Sequence, residues 1–140
     1  MKDPLTQLPG YVLRRASAAA LARLNEQLAP LSLRHIDVAL MLLVEDTPGL
    51  TPSRAGSMLD IQRANMAPLA ARLENRGLVA RRRVDGRSHA LELTAKGRAL
   101  LVRARSIVAR CEAELLRPVP VRLRPHVLPI LMALWNPHHK

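Results

Sequence analysis

Aromatic residues are scarce in this chain: 140 positions hold no phenylalanine, one tyrosine (Tyr11) and one tryptophan (Trp135). Proteins that grip single-stranded nucleic acid stack bases on several rings, so the scarcity argues against that class. The single cysteine, Cys111, excludes an internal disulfide, and on the apolar stripe of a long helix it is expected to be a buried, unreactive thiol. No apolar run approaches the roughly 20 residues of a membrane helix; the longest extends from Val38 to Val44. The N-terminus lacks a charged-then-apolar signal segment, and the expectation is a cytoplasmic protein. A phosphate-binding glycine loop, a nucleophile elbow and a His-Glu-x-x-His helix are all missing, which argues against an enzyme. His35, Asp37, His89, Cys111, His138 and His139 show no recognised metal spacing, so neither metal nor cofactor is expected. The end, His138-His139-Lys140, reads as a loose tail.

Acidic residues are also few, 11 against 22 Lys and Arg, for a formal net charge of +11. Such a balance favours an anionic partner, nucleic acid first and a membrane surface second. With few rings to stack bases, duplex DNA held through grooves and phosphates is the better fit. At this length one domain can bury a core without help from disulfides or metal.

The pattern along the chain is mainly helical. Leu8, Val12, Leu13, Ala16, Ala20, Leu24 and Leu28 recur at three and four, as one stripe of an amphipathic helix closed by Pro30. A second helix, from about Leu33 to Val44, is apolar nearly all round, and Thr47-Pro48-Gly49 breaks it. Thr51 before Pro52 predicts a helix start, because the hydroxyl caps free amides and proline loses nothing at the first helical position. That helix ends near Leu59. After a turn at Asp60 to Gln62, Met66, Leu69, Ala70 and Leu73 form a new stripe, and Gly77 stands where a left-handed C-cap belongs. Two extended segments, Leu78 to Val84 and Arg87 to Leu93, flank Asp85-Gly86, a strong hairpin signal, with Leu91 and Leu93 facing inward and Glu92 outward. Thr94 then caps a long helix bearing Leu101, Ala104, Ile107, Val108, Cys111 and Leu115, ended by Pro118 and Pro120. A last helical segment, about Arg122 to Trp135, contains Pro125 and Pro129, which imply a late start or a kink.

Two helices separated by a tight turn and followed by a basic hairpin give a winged helix-turn-helix. In this arrangement the second helix enters the major groove with its leading side chains at base edges, while the preceding helix crosses the backbone. Gln62, Arg63, Ala64 and Asn65 occupy the leading turn; arginine pairs with guanine, and glutamine or asparagine with adenine. Thr51 and Ser53 belong to the crossing helix. The hairpin carries Arg81, Arg82, Arg83 and Arg87, cations suited to phosphates or the minor groove. Taken singly, these residues also fit a solvated hairpin face and an ordinary polar helix start. Their order along the chain favours DNA binding.

The chain resembles the MarR family of bacterial winged-helix regulators. The resemblance rests on Leu73-Glu74-Asn75-Arg76-Gly77-Leu78-Val79 before the wing, Asp85-Gly86-Arg87 within it and Leu91-Glu92-Leu93-Thr94-Ala95-Lys96-Gly97 after it. Looser likeness extends to Pro9-Gly10-Tyr11-Val12-Leu13-Arg14-Arg15 and Leu31-Ser32-Leu33-Arg34-His35. It implies one mainly α domain with a small β-hairpin wing, in which residues 33–94 form the DNA-binding lobe and residues 1–30 and 95–140 supply dimerisation helices. It further implies a homodimer on a pseudo-palindromic operator, with residues matching Gln62 to Met66 in the major groove, Arg83 and Arg87 on the wing, and Asp85 holding Arg87. Family members usually repress transcription, and many release DNA when a small aromatic acid, phenol or similar compound binds between dimerisation helices and lobe. Tyr11, Arg14, Arg15, His35 and Asp37 are groups near such a cavity, each also readable as surface or packing, with arginine suited to a carboxylate. A winged helix that binds a protein partner, or DNA without sequence preference, is the alternative use of the same fold. One departure from the family is Pro68, where a basic or polar residue is more usual. It kinks the helix if that helix begins near Gln62, at roughly 3 kcal/mol, and is tolerated in the first turn if Asn65 is the cap.

Overall fold

The computed structural model describes residues 3–136; the expected tail at His138 to Lys140 lies outside them. Six α-helices and one hairpin follow in the order α1 (Pro9–Leu28), α2 (His35–Asp46), α3 (Pro52–Met58), α4 (Arg63–Asn75), β1 (Val79–Arg83), β2 (His89–Leu93), α5 (Ala95–Leu116) and α6 (Arg124–Trp135). Short 3-10 turns at Pro4–Gln7, Ala29–Leu31 and Val121–Leu123 lead into or out of the outer helices. The fold is a winged helix-turn-helix lobe, α2 to β2, joined to long helices from both ends of the chain.

The boundaries have local causes. Thr51 accepts a hydrogen bond from the Arg54 amide at 3.2 Å and Thr94 one from the Gly97 amide at 2.9 Å, each satisfying a free donor at a helix start. Gly77, at φ +70°, ends α4 in the left-handed conformation that glycine adopts without strain. Pro30 sits in the turn after α1, and Ser32, at φ 52°, completes the corner, so α2 starts at His35, two residues later than its periodicity suggests. Pro125 falls at the permissive start of α6, whereas Pro129 is interior to it.

The hydrophobic core is centred on α2. Leu40 and Met41 are fully buried there, against Leu28 of α1, Leu73 of α4, Leu78 and Leu91 around the wing and Leu101 of α5. β1 and β2 pair antiparallel with Val79 opposite Leu93 and Arg83 opposite His89. The Leu91 amide also donates to the Leu50 carbonyl at 2.8 Å, so the segment before α3 backs the wing from its other side. Leu91 is buried, Leu93 half-buried and Glu92 exposed, as the alternation requires.

The wing tip departs from expectation. Asp85-Gly86 does not form a two-residue turn: the strands stop at Arg83 and His89, leaving a five-residue loop, and Gly86 has no positive φ. The Val84 amide closes this loop on the Ser88 carbonyl at 3.0 Å, and the Asp85 side chain organises its interior. A side-chain acceptor has replaced backbone twist as the device that turns the chain.

α1 and α6 are only partly packed. The stripe on α1 is buried at Leu28 and half-buried at Leu24, yet Leu8, Val12 and Leu13 are exposed. α6 has no buried residue, and Leu128, Ile130, Leu134 and Trp135 are all more than half exposed. Leu13, Ala16, Leu115, Val127, Leu131 and Trp135 line an open apolar cleft of about 720 Å³ between α1, α5 and α6.

Candidate nucleic-acid interface

α3, a tight turn and α4 set out the candidate interface. The turn is made by Asp60, at φ 55°, and by the Ile61 amide donating to the Gly56 carbonyl at 2.9 Å. Gly56 is buried under Met66: a Cβ there would meet the Met66 side chain at 3.4 Å, so a small residue lets the two helices approach. Gln62 is the N-cap of α4, with its own side chain free of capping duty, and Arg63, Ala64 and Asn65 form the exposed first turn. Three of these four side chains, Gln62, Arg63 and Asn65, can hydrogen-bond to base edges.

Met66 does not belong with them. It is 3% exposed and points inward with Leu69, Ala70 and Leu73, because the three- and four-residue spacing that makes the apolar stripe carries it to the core side. Its expected place in the groove is therefore corrected to a packing role beneath the turn. Pro68 is also settled: with Gln62 as cap it stands six residues into α4, and Asn65 is not the cap. Pro68 offers no N–H to the Ala64 carbonyl, so the leading turn is tied to the rest of the helix by one hydrogen bond fewer.

Thr51 is half-buried and spent on its cap, whereas Ser53 is exposed on the first turn of α3. Ser53, Ser57, Arg63 and Arg81 share a cleft of about 570 Å³ between α3, α4 and β1. The Ser53 hydroxyl and the Arg63 guanidinium are donors of the kind that hold phosphate oxygens, whereas the Ser57 hydroxyl donates to the Ser53 carbonyl and Arg81 pairs with Glu74.

The four wing arginines divide into two kinds. Arg81 pairs with Glu74 of α4 and ties the wing to that helix, and Arg82 pairs with Glu92 across the hairpin at 2.6 Å and ties its two strands together. Arg83 and Arg87 are exposed and form no ion pair among the described residues, which leaves their charge for a partner. The Asp85 carboxylate accepts the amides of Arg87 at 3.0 Å and Ser88 at 2.8 Å. These two backbone donors lower its pKa, the Arg87 amide foremost, because they favour the charged form. Asp85 holds the backbone of Arg87 and leaves its guanidinium free.

Sequence reasoning missed the residues that seat α4. Asp37 of α2 is 1% exposed, accepts the Arg34 amide at 2.8 Å and pairs with Arg72 of α4. One turn further, Arg76 donates to the carbonyls of Ser32 and Leu31 at the corner between α1 and α2. Both arginines lie in a helical run that reads as ordinary surface, and their partners are 35 to 45 residues away. An acid, Asp37, at the head of the apolar run Val38 to Val44 was the available signal.

The residues considered for a small ligand are dispersed. Arg14 lies over the Tyr11 ring at 5.2 Å on the outer flank of α1, and Arg15 is exposed beside them. His35 starts α2 and is bound through its amide, at 2.7 Å, and its Nδ1, at 3.1 Å, to Asn25 of α1. Cys111 is buried on α5.

No protein-family model matches the chain. The HTH-type transcriptional repressor Rv2887 of Mycobacterium tuberculosis (strain ATCC 25618 / H37Rv) is 31% identical over 109 residues, which are 76% of this chain and 78% of the relative. A solved structure of the transcriptional repressor CouR bound to a 23-mer DNA duplex superposes with a TM-score of 0.89, at 35% identity over 96% of this chain and 97% of that one. The Rv2887 structure in complex with salicylic acid, described as a MarR family protein, superposes at 0.74 with 28% identity over 95% and 97%. The chain belongs to the MarR family of transcriptional regulators. CouR has also been solved bound to p-coumaroyl-CoA, and this MarR chain matches that structure at 33% identity and a TM-score of 0.87 over 98% of both chains. In this MarR protein no single helix is long and apolar enough to cross a membrane, among the described residues.

Proposed function

We propose that the protein is a sequence-specific, double-stranded-DNA-binding transcriptional repressor that acts as a homodimer and is released by a small aromatic ligand. One observation carries the reading: a first turn of α4 bearing exposed Gln62, Arg63 and Asn65 lies beside a wing whose Arg83 and Arg87 are unpaired, in a chain 35% identical to a repressor bound to a DNA duplex. Polar side chains at a helix start supply base readout, and free cations on a hairpin supply phosphate or minor-groove contact. Thr51 and Ser53 accompany them on the helix that crosses the backbone.

Dimerisation is supported by the apolar surface at both ends. Leu8 before α1, Val12 and Leu13 on it and nearly the whole of α6 face solvent in a single chain, a patch that a second copy would cover. Residues 1–30 and 95–140 thus serve as the dimerisation region and 33–94 as the reading lobe, and two lobes related by a two-fold axis call for an operator with inverted half-sites. Ligand control is supported by relatives solved with salicylic acid and p-coumaroyl-CoA. Tyr11, Arg14, Arg15 and His35 remain our candidates for an aromatic acid, Arg14 and Arg15 for its carboxylate. The protein acts in the cytoplasm and performs no catalysis.

Selection of bound sequences from a random duplex pool tests the reading. An enriched inverted repeat is expected; binding that follows salt alone, with no enriched sequence, would replace it with non-specific binding. A panel of aromatic acids and their thioesters should include a compound that raises the melting temperature and weakens operator binding. Failure of every compound would remove the ligand from the model.

A further inference from the structure

We propose that Pro68 determines specificity by reading thymine: its ring, with Ala64 and Ala67 beside it, meets thymine 5-methyl groups in the major groove. The inference rests on the reading of α4 as the helix that enters that groove.

α4 buries Met66, Leu69, Ala70 and Leu73. At 3.6 residues per turn, Ala64 and Pro68 fall on the opposite side with Ala67 next to them, and all three are exposed. From Met66 to Ala71 the helix has no side chain with an N–H or O–H to donate. The next polar side chain, Arg72, is committed to Asp37. Readout by polar side chains is therefore confined to Gln62, Arg63 and Asn65, and the side chains behind them offer carbon alone.

The major groove has one apolar feature that such a surface can recognise, the C5 methyl of thymine. Contact with it removes apolar area from water on both partners, whereas the amino group of cytosine or adenine pressed against the proline ring would lose its water and gain no side-chain acceptor. The preference for thymine is thus both attraction to one base and a penalty on others. Proline also differs from alanine in a way that fits this role. An interior proline forfeits a helix hydrogen bond, here to Ala64, and an exposed one adds little to the core. What it adds is a rigid apolar ring on the outward side.

Deoxyuridine differs from thymidine by that methyl alone, which gives a direct test. Operators selected by the full-length protein are resynthesised with each thymine replaced in turn by deoxyuridine. We expect one or two thymines in each half-site at which this weakens binding about fourfold for each methyl removed. In Pro68→Ala, which stays helical, the penalty at the thymine facing residue 68 shrinks, while preferences at positions read by the first turn persist. A selected operator whose affinity is unchanged by deoxyuridine at every thymine overturns the proposal and leaves α4 as the reading helix. An undiminished penalty in Pro68→Ala overturns the assignment to Pro68. If no sequence is enriched, the proposal and the reading beneath it fall together.

Discussion

The carboxylate of Asp37 on α2 pairs with the guanidinium of Arg72 on α4, and it is the one fully buried charge among the described residues. The two partners are unequal, since the Arg72 side chain is 48% exposed. Removing either one therefore has a different cost. Arg72→Ala leaves a buried carboxylate with the Arg34 amide as its remaining donor, whereas Asp37→Asn leaves an arginine that turns to water. After discounting for solvent at Arg72, we expect Arg72→Ala to lose about 2 kcal/mol and Asp37→Asn about 1 kcal/mol. Denaturant unfolding of both variants checks the order. Equal losses would mean that the pair contributes through the helix contact alone.

Gly97 on α5 stands against the start of β1. A Cβ at this position would lie 2.0 Å from the Leu78 carbonyl oxygen, which is itself fixed by the Thr94 amide at 3.1 Å. Backbone meets backbone here, so no side chain can move aside. Thr94 and Lys96 close the same junction through the Gly77 and Arg76 carbonyls. Gly97→Ala should cost about 3 kcal/mol or more despite glycine's poor helix propensity, a sign opposite to that at an open helical site. A melting temperature equal to or above the parent's would show that the junction opens easily.

Thr51, Gly77 and Thr94 were legible because capping is local chemistry: each acts on amides or carbonyls within a few residues. The helical stripes were legible for a similar reason, since periodicity assigns a face without naming what covers it. Two errors are local in origin and the third is not. Met66 follows the predicted turn in sequence but belongs to the inward side of α4. Asp85-Gly86 matches a two-residue hairpin, yet the Asp85 side chain captures the Arg87 and Ser88 amides and lengthens the loop. Arg72 and Arg76 look like solvated helix residues until α2 and the α1–α2 corner are folded beside them. Where a role depends on a partner tens of residues away, composition and spacing carry no record of it.

Asp85 makes the wing loop sensitive to acid. Its pKa is lowered by the Arg87 and Ser88 amides, so the loop's contribution is present above the ordinary carboxylate value of 3.8 and is lost as pH falls through the lower, folded value. In a pH titration of the free protein followed by NMR, the Arg87 and Ser88 amide signals should shift together with a midpoint below 3.8. The pH-dependent shift should vanish in Asp85→Asn. A midpoint at or above that value would show that the two hydrogen bonds do not hold in solution.

The two kinds of wing arginine should separate in their dependence on salt. Arg83 and Arg87 have no ion pair among the described residues, whereas Arg81 and Arg82 are paired with Glu74 and Glu92. A free cation that neutralises a phosphate releases counterions, so its loss weakens binding and also flattens the plot of log affinity against log salt by about 0.9 for each phosphate contact. Arg87→Ala and Arg83→Ala should each show both effects on a selected operator. Arg82→Ala should change the slope little, because its charge is already balanced by Glu92, and should act instead on the stability of the hairpin. Melting temperatures separate the classes further: Arg83→Ala and Arg87→Ala should melt like the parent. If Arg87→Ala binds with the parent's affinity and slope, the wing tip does not reach DNA, and contact rests on α3 and α4.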